Sequence, residues 1–252
     1  KKRAETYDPG HVKNGLVRLD NLFVMRSIRG DGHCLFRSAI ADVLEKLLAM
    51  TNAERKTRLT QLQLACAKFG KAALNEHFAF LKQVIEAAVA SGRAFGDIIC
   101  DEVTSDKFVS FLRQLVCEHN RQIKNDVFDS FLLAQGKSKN EYLEDMMSMQ
   151  KAIYGDHPEV LAISTLFNLN ICVVEVAEYG KNTDPDKTGQ AFRHIRAHDG
   201  MMELFLLHRP GHYDLGRLKN RRPQEPVEPP HVRGTRYFIE LAKEKGWIVV
   251  KA

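Results

Sequence analysis

Several features are scarce in this 252-residue chain, and each absence narrows the reading. No run of eighteen apolar residues occurs, so no membrane-spanning helix is expected, and Lys1-Lys2-Arg3-Ala4-Glu5 leads into polar sequence rather than a signal peptide. The chain does not start on methionine, and the expectation is a fragment of a longer protein. Its five cysteines (Cys34, Cys66, Cys100, Cys117 and Cys172) are odd in number, widely spaced and free of any Cys-x-x-Cys. That excludes a disulfide framework and a zinc cluster and points to a reducing, cytosolic compartment. Strong charge is missing too. The net +5 is spread thinly, and its densest cluster, Arg217, Lys219, Arg221 and Arg222, has no interleaved aromatics, so no nucleic-acid partner is expected.

What is present is an apolar content of 44%, enough to bury the core of one generous domain or of one domain with an insertion. The most informative stretch is Gly30-Asp31-Gly32-His33-Cys34-Leu35-Phe36-Arg37-Ser38. Before it, Leu22 to Met25 reads as a strand. After it, Ile40, Val43, Leu44, Leu47 and Leu48 recur at helical spacing, so Cys34 opens a helix. Unpaired backbone N–H groups and the positive end of the helix dipole favour a thiolate there. Gly30 and Gly32 free the loop to turn the N–H groups around Gly32, His33 and Cys34 toward one anionic site, a pocket suited to an oxyanion.

The rest of the chain divides readily. Pro9-Gly10 and Asn14-Gly15 read as turns in a leader. Thr51-Asn52 caps a helix beginning at Ala53, helical patterning continues to about Ala90 with a break near Phe69-Gly70, and Ser91-Gly92 closes it. Helices follow over Asp101 to Glu118, Asp126 to Ala134 and Asn140 to Ile153. Ile171 to Val176 has the composition of a strand covered on both faces, with Cys172 packed in it, and Ala191 to Ala197 and Glu203 to His208 read as further strands around the polar loop 181–186. The Pro-rich stretch 221–231 reads as an extended linker, and 232–252 as a helix and a short apolar segment. The expected class is α+β: a small central sheet between helices, with an all-helical insertion at about 95–150.

Near the end, Gly211-His212-Tyr213-Asp214-Leu215 follows the Arg209-Pro210 turn. In an extended segment His212 and Asp214 project to one side, so a carboxylate can hold one imidazole nitrogen while the other faces a thiol. Nucleophile, base and orienting group are the parts of a cysteine-hydrolase triad. His33 adjoins Cys34, but neighbouring side chains diverge, and it reads as a loop or substrate-facing residue rather than the base. His208 ends a strand and completes a polar edge. His194 and His198 have a spacing that a metal uses on a helix, but they lie in a strand-like stretch without Cys or carboxylate partners, and no metal is assigned.

Asp-Gly-x-Cys-Leu-Phe-Arg resembles the nucleophile motif of the ovarian tumour (OTU) cysteine proteases, which cleave ubiquitin from proteins and from other ubiquitins. Tyr154-Gly155-Asp156-His157-Pro158-Glu159 resembles the family element in which a tryptophan, a glycine, three variable residues and a glutamate open the helix behind the nucleophile, with Tyr154 in place of the tryptophan. His212-Tyr213-Asp214 matches the element that carries the catalytic histidine. The resemblance implies a papain-like fold, a Cys34–His212 pair, an isopeptide bond at the ubiquitin C-terminus as substrate, no cofactor, and ubiquitin or polyubiquitin as partner of a monomeric enzyme. Asp214 is the expected third member. Asp31 and the leader residue Asp20 are the alternatives, and Asp31 otherwise supports the oxyanion region. The long helical spacer resembles that of extended OTU enzymes which intracellular bacteria deliver into host cells, and 95–150 is expected to hold the distal ubiquitin. The alternative function is an idle ubiquitin-binding module of the same fold.

Overall fold

The computed structural model describes residues 8–122, 126–151, 155–181, 191–195 and 202–219. Tyr154, His198, the linker 221–231 and the segment 232–252 lie outside the described residues. The chain divides into two compact units, one built from 1–28 and 168–252 and the other from 29–167.

The first unit holds the sheet. Strands β1 (Phe23–Arg26), β2 (Leu169–Glu175), β3 (Phe192–Ile195), β4 (Met202–Arg209) and β5 (His212–Leu218) are ordered β1-β5-β4-β2-β3. The β2–β4 pair is parallel and the other neighbours are antiparallel. Cys172 and Val174 of β2 lie opposite Phe205 and Leu207 of β4, and together with Phe23 and Phe192 they form one buried apolar face. The intervening Val173 and Leu206 are buried as well, as expected of a strand with no solvent face.

Two helices in this unit, α1 (Pro9–Leu19) and α10 (Val176–Lys181), correct the reading of the leader as turns. Asp8 accepts a hydrogen bond from the Gly10 N–H (2.8 Å) as N-cap, and Pro9 sits in the first turn, where its missing N–H costs nothing. Asn14-Gly15 falls mid-helix because Gly15 is needed for packing: a Cβ there would lie 2.0 Å from the Val176 carbonyl oxygen, and one on Gly180 would lie 1.9 Å from that of His11. Two glycines thus let α1 and α10 touch backbone to backbone, a tertiary demand that overrides the turn signal.

The second unit is helical. It contains α2 (Cys34–Ala49), α3 (Asn52–Lys68), α4 (Ala72–Ser91), α5 (Phe95–Ile99), α6 (Glu102–Gln122), α7 (Asp126–Gln135), α8 (Lys139–Met147) and α9 (His157–Phe167). Thr51 caps α3 in a capping box with Glu54, and Gly92 ends α4 at φ 65°. The described residues of 95–150 are mostly helical, as expected, but they form no appended lobe. In α6, Phe108, Val109, Phe111, Leu112, Leu115 and Val116 are all 0% exposed, which makes it the spine of the unit's core. An insertion standing off the core would show one apolar stripe, whereas α6 is buried nearly all round.

Candidate active site

Each unit carries part of the expected chemistry. In the helical unit Cys34 is the first residue of α2 and 1% exposed. Gly32 adopts φ 82°, a conformation that favours glycine, whereas Gly30 keeps an ordinary φ. Asp31 is the hub of the loop. Its Oδ1 accepts the His33 N–H (3.0 Å), and its Oδ2 accepts from Arg37 Nε (2.9 Å), Arg37 Nη2 (2.6 Å) and Arg29 Nε (2.8 Å). Burial alone would raise this carboxyl, but hydrogen bonds from Arg37, the His33 backbone and Arg29 outweigh it and hold Asp31 well below the usual carboxylate range. Arg37, itself buried, also bonds Ser105 (2.7 Å) and Asp106 on α6, and Arg29 reaches Glu102 (2.5 Å) and Asp106 (2.6 Å).

Two expectations change here. The His33 N–H is taken by Asp31, so it does not serve an oxyanion alongside those of Gly32 and Cys34. The His33 side chain is not substrate-facing either. It is 6% exposed, and its Nδ1 lies 2.8 Å from Arg113 Nη1. Burial, followed by the neighbouring Arg113 charge, lowers its pKa, so the ring stays neutral near pH 7. Behind the loop Gly155 lies against Leu35: a Cβ would stand 2.1 Å from Leu35 Cδ2, which explains why this element carries a glycine. Glu159 is fully buried, accepting the Asp156 N–H (2.8 Å) and the Tyr142 hydroxyl (2.8 Å).

In the sheet unit the Pro210-Gly211 turn, with Gly211 at φ 65°, makes His212 the first residue of β5, opposite Arg209. His212 Nε2 lies 2.8 Å from Asp214 Oδ1, so the same-side projection expected from strand periodicity is realised. The same oxygen accepts the Ile28 N–H (3.0 Å), and Oδ2 pairs with Arg209 Nη2 (2.7 Å). Asp214 is therefore held by three donors. Asp20, in contrast, is an exposed partner of Lys219 (3.3 Å), and the oxygens of Asp31 are engaged by the His33 N–H, Arg29 and Arg37.

The other thiols are ordinary. Burial pushes Cys66 and Cys117 up to about 12 and raises Cys172 further. His208 bonds Glu175 (2.7 Å) and stacks on Tyr213 at 4.6 Å; it lies near the end of β4, the middle strand, between β2 and β5 rather than on an edge of the sheet. Among the described residues no three His, Cys, Asp or Glu side chains group as metal ligands. Sequence reasoning missed Arg113 and Arg209. Arg113 alone left a trace, as a charge between Phe111, Leu112 and Leu115 on an apolar helix.

A thiol at the head of a buried helix, and a hydrogen-bonded His–Asp pair on a strand of a small mixed sheet, define the class: an α+β cysteine hydrolase of the OTU type. The family model for peptidase C65 otubain matches residues 19–216, and the chain belongs to that family. Mouse ubiquitin thioesterase OTUB2 is 24% identical over 197 residues, spanning 76% of this chain and 80% of that protein. Human ubiquitin thioesterase OTUB1 is 25% identical over 198 residues, spanning 76% and 69%. The fold is shared with a solved OTUB1–ubiquitin aldehyde–UBCH5B~Ub assembly at TM-score 0.69 and 18% identity, covering 85% of each chain.

Proposed function

We propose that this chain is a cysteine isopeptidase that hydrolyses bonds at the C-terminus of ubiquitin, with Cys34 as nucleophile, His212 as base and acid, and Asp214 as its orienter. The observation that carries the reading is the His212 Nε2–Asp214 Oδ1 hydrogen bond of 2.8 Å. With Nε2 held, Nδ1 is the nitrogen left to exchange a proton with the thiol. The names of the relatives, both ubiquitin thioesterases, supply the substrate class.

In this reading the Cys34 thiolate attacks the carbonyl carbon of the terminal glycine and the π electrons move to oxygen. The imidazolium of His212 then gives its proton to the departing lysine amine as the C–N bond breaks, leaving a thioester. Water, deprotonated by the now neutral imidazole, adds to the thioester carbonyl, and the C–S bond then breaks with its electron pair returning to sulfur, which releases the ubiquitin carboxylate and restores the Cys34 thiolate beside the imidazolium. Asp214 orients the ring and stabilises the imidazolium. The chemistry needs a free thiol, which suits a reducing compartment.

The test uses a ubiquitin carrying a C-terminal electrophile. Labelling of the wild type that is lost in Cys34→Ala supports the enzyme, and binding without labelling supports an idle ubiquitin-binding module instead. His212→Ala should move the alkylation of Cys34 by iodoacetamide to higher pH, because the thiolate loses its imidazolium partner. An unchanged profile would break the proposed Cys34–His212 pairing.

A further inference from the structure

Arg113 is 1% exposed, in the middle of the core of the helical unit. A buried guanidinium is costly unless its donors are met, and it ordinarily sits on a carboxylate. Here the acceptors are carbonyl oxygens instead: Met146 (2.6 Å), Ser148 (3.1 Å) and Asp145 (3.3 Å). These carbonyls belong to the last turn and C-cap of α8, the negative end of that helix, so the α8 dipole serves as counter-charge.

The remaining strong contact is the imidazole of His33, whose Nδ1 lies 2.8 Å from Nη1. Because a guanidinium only donates, Nδ1 must accept, and the ring proton therefore sits on Nε2. A second hydrogen bond ties the ring to the Met149 backbone. His33 is the N-cap residue of α2, directly before Cys34, and its side chain makes no capping bond of its own. Its ring is thus spent entirely on contacts to α6 and to the segment after α8.

We propose that Arg113 and His33 act together as positioning residues: the C-terminal end of α8 anchors the guanidinium, the guanidinium fixes the imidazole, and the imidazole fixes the start of α2 and with it the Cys34 sulfur. Asp31 and Arg37 brace the same loop through a separate set of hydrogen bonds. This inference rests on Cys34 being the nucleophile. It assigns His33 a purely supporting part, with no proton transfer.

Two variants separate the proposal from a merely structural role. His33→Phe keeps the bulk and removes the acceptor; His33→Asn puts Oδ1 where Nδ1 stands and retains it. With a ubiquitin-derived fluorogenic substrate, His33→Phe should lose roughly 10- to 100-fold in kcat with KM within about twofold, since small misplacements of a reacting group cost rates of this size. His33→Asn should recover most of the loss. Mass-resolved alkylation of the Cys34 peptide should need higher pH in His33→Phe than in His33→Asn. A His33→Phe variant that melts lower but keeps kcat and the Cys34 alkylation profile would overturn the inference. The unmodified protein offers a check independent of folding of the variants: ¹⁵N shifts of the His33 ring should report the Nε2–H tautomer at pH 7 to 8, and the Nδ1–H form would overturn it. Failure of the wild type to label with the ubiquitin probe would sink the functional reading itself, a separate outcome.

Discussion

Glu159 makes the stability of the helical unit depend on pH in a direction opposite to that of most carboxylates. Its side chain is fully buried, and burial raises its pKa to about 7 despite the hydrogen bonds from the Asp156 N–H and the Tyr142 hydroxyl, which favour the charged form. Unfolding returns it to an ordinary value near 4.5. Between those two values the folded chain binds a proton that the unfolded chain does not, so stability falls as pH rises through this window and levels off above about 7. The interval corresponds to about 3 kcal/mol. His33 works against it: its lowered pKa removes stability as pH drops below about 6.5, the unfolded value. Wild-type stability alone therefore mixes two opposed slopes.

Glu159→Gln isolates one of them. The amide does not ionise, and its oxygen can accept from Tyr142 but its NH2 group then faces the Asp156 N–H, leaving a donor unmet at about 1–3 kcal/mol. At pH 5 the variant should be less stable than wild type by that amount. At pH 8, where wild type carries the buried charge, the difference should shrink or reverse, moving by about 3 kcal/mol across the window. Guanidinium unfolding of both proteins at pH 5, 6, 7 and 8, with equal m values, reads this directly. A wild-type-minus-variant difference that stays constant over that range refutes the reasoning.

Two other substitutions probe the packing of the sheet unit and the loop before Cys34. Gly180→Ala places a Cβ 1.9 Å from the His11 carbonyl oxygen and 2.5 Å from the Gly15 nitrogen, backbone atoms that cannot rotate away. It should cost upward of about 1–3 kcal/mol and loosen α1, seen as faster amide exchange over Pro9–Leu19; protection at the wild-type level would contradict the contact. Asp31→Asn removes the charge that holds Arg37 and Arg29, worth roughly 2 kcal/mol above pH 4 and progressively less below it, because the wild-type carboxylate is itself protonated as acid approaches its depressed pKa. The gap between the two proteins in urea midpoint should therefore narrow from pH 6 to pH 3, and a gap independent of pH would count against the carboxylate as the hub.

Local signals carried much of the architecture into the sequence. The Thr51 cap, the Gly92 stop, the β-branched run of β2 and the His212-x-Asp214 alternation each depend on neighbours within a few residues, and each is found where the pattern puts it. What stayed hidden is tertiary. Asn14-Gly15 has the composition of a turn, and only the approach of α10 reveals why a helix wants glycine there. Likewise, 95–150 has helical periodicity whether it is a lobe or a core; the burial of α6 decides, and that depends on helices far away in the chain. The spacer also lies inside the span matched by the otubain model and by the mouse and human relatives, so its length is no mark of a bacterial effector.

The residues nearest the proposed nucleophile show why the site was only half legible. A motif names Cys34, His212 and Asp214 because their chemistry is fixed by residue type, but the groups that hold them are chosen by geometry. Arg37 spans from the loop to Ser105, and Arg113 spans from His33 to Met146, separations of 68 and 33 to 80 residues. An arginine can fill such a post from many sequence positions, since its long side chain and five donors can satisfy carbonyls, a carboxylate or an imidazole alike. Residue types are therefore written locally in this chain, whereas the contacts that brace the Cys34 loop run to α6 and become visible only once the helices are packed.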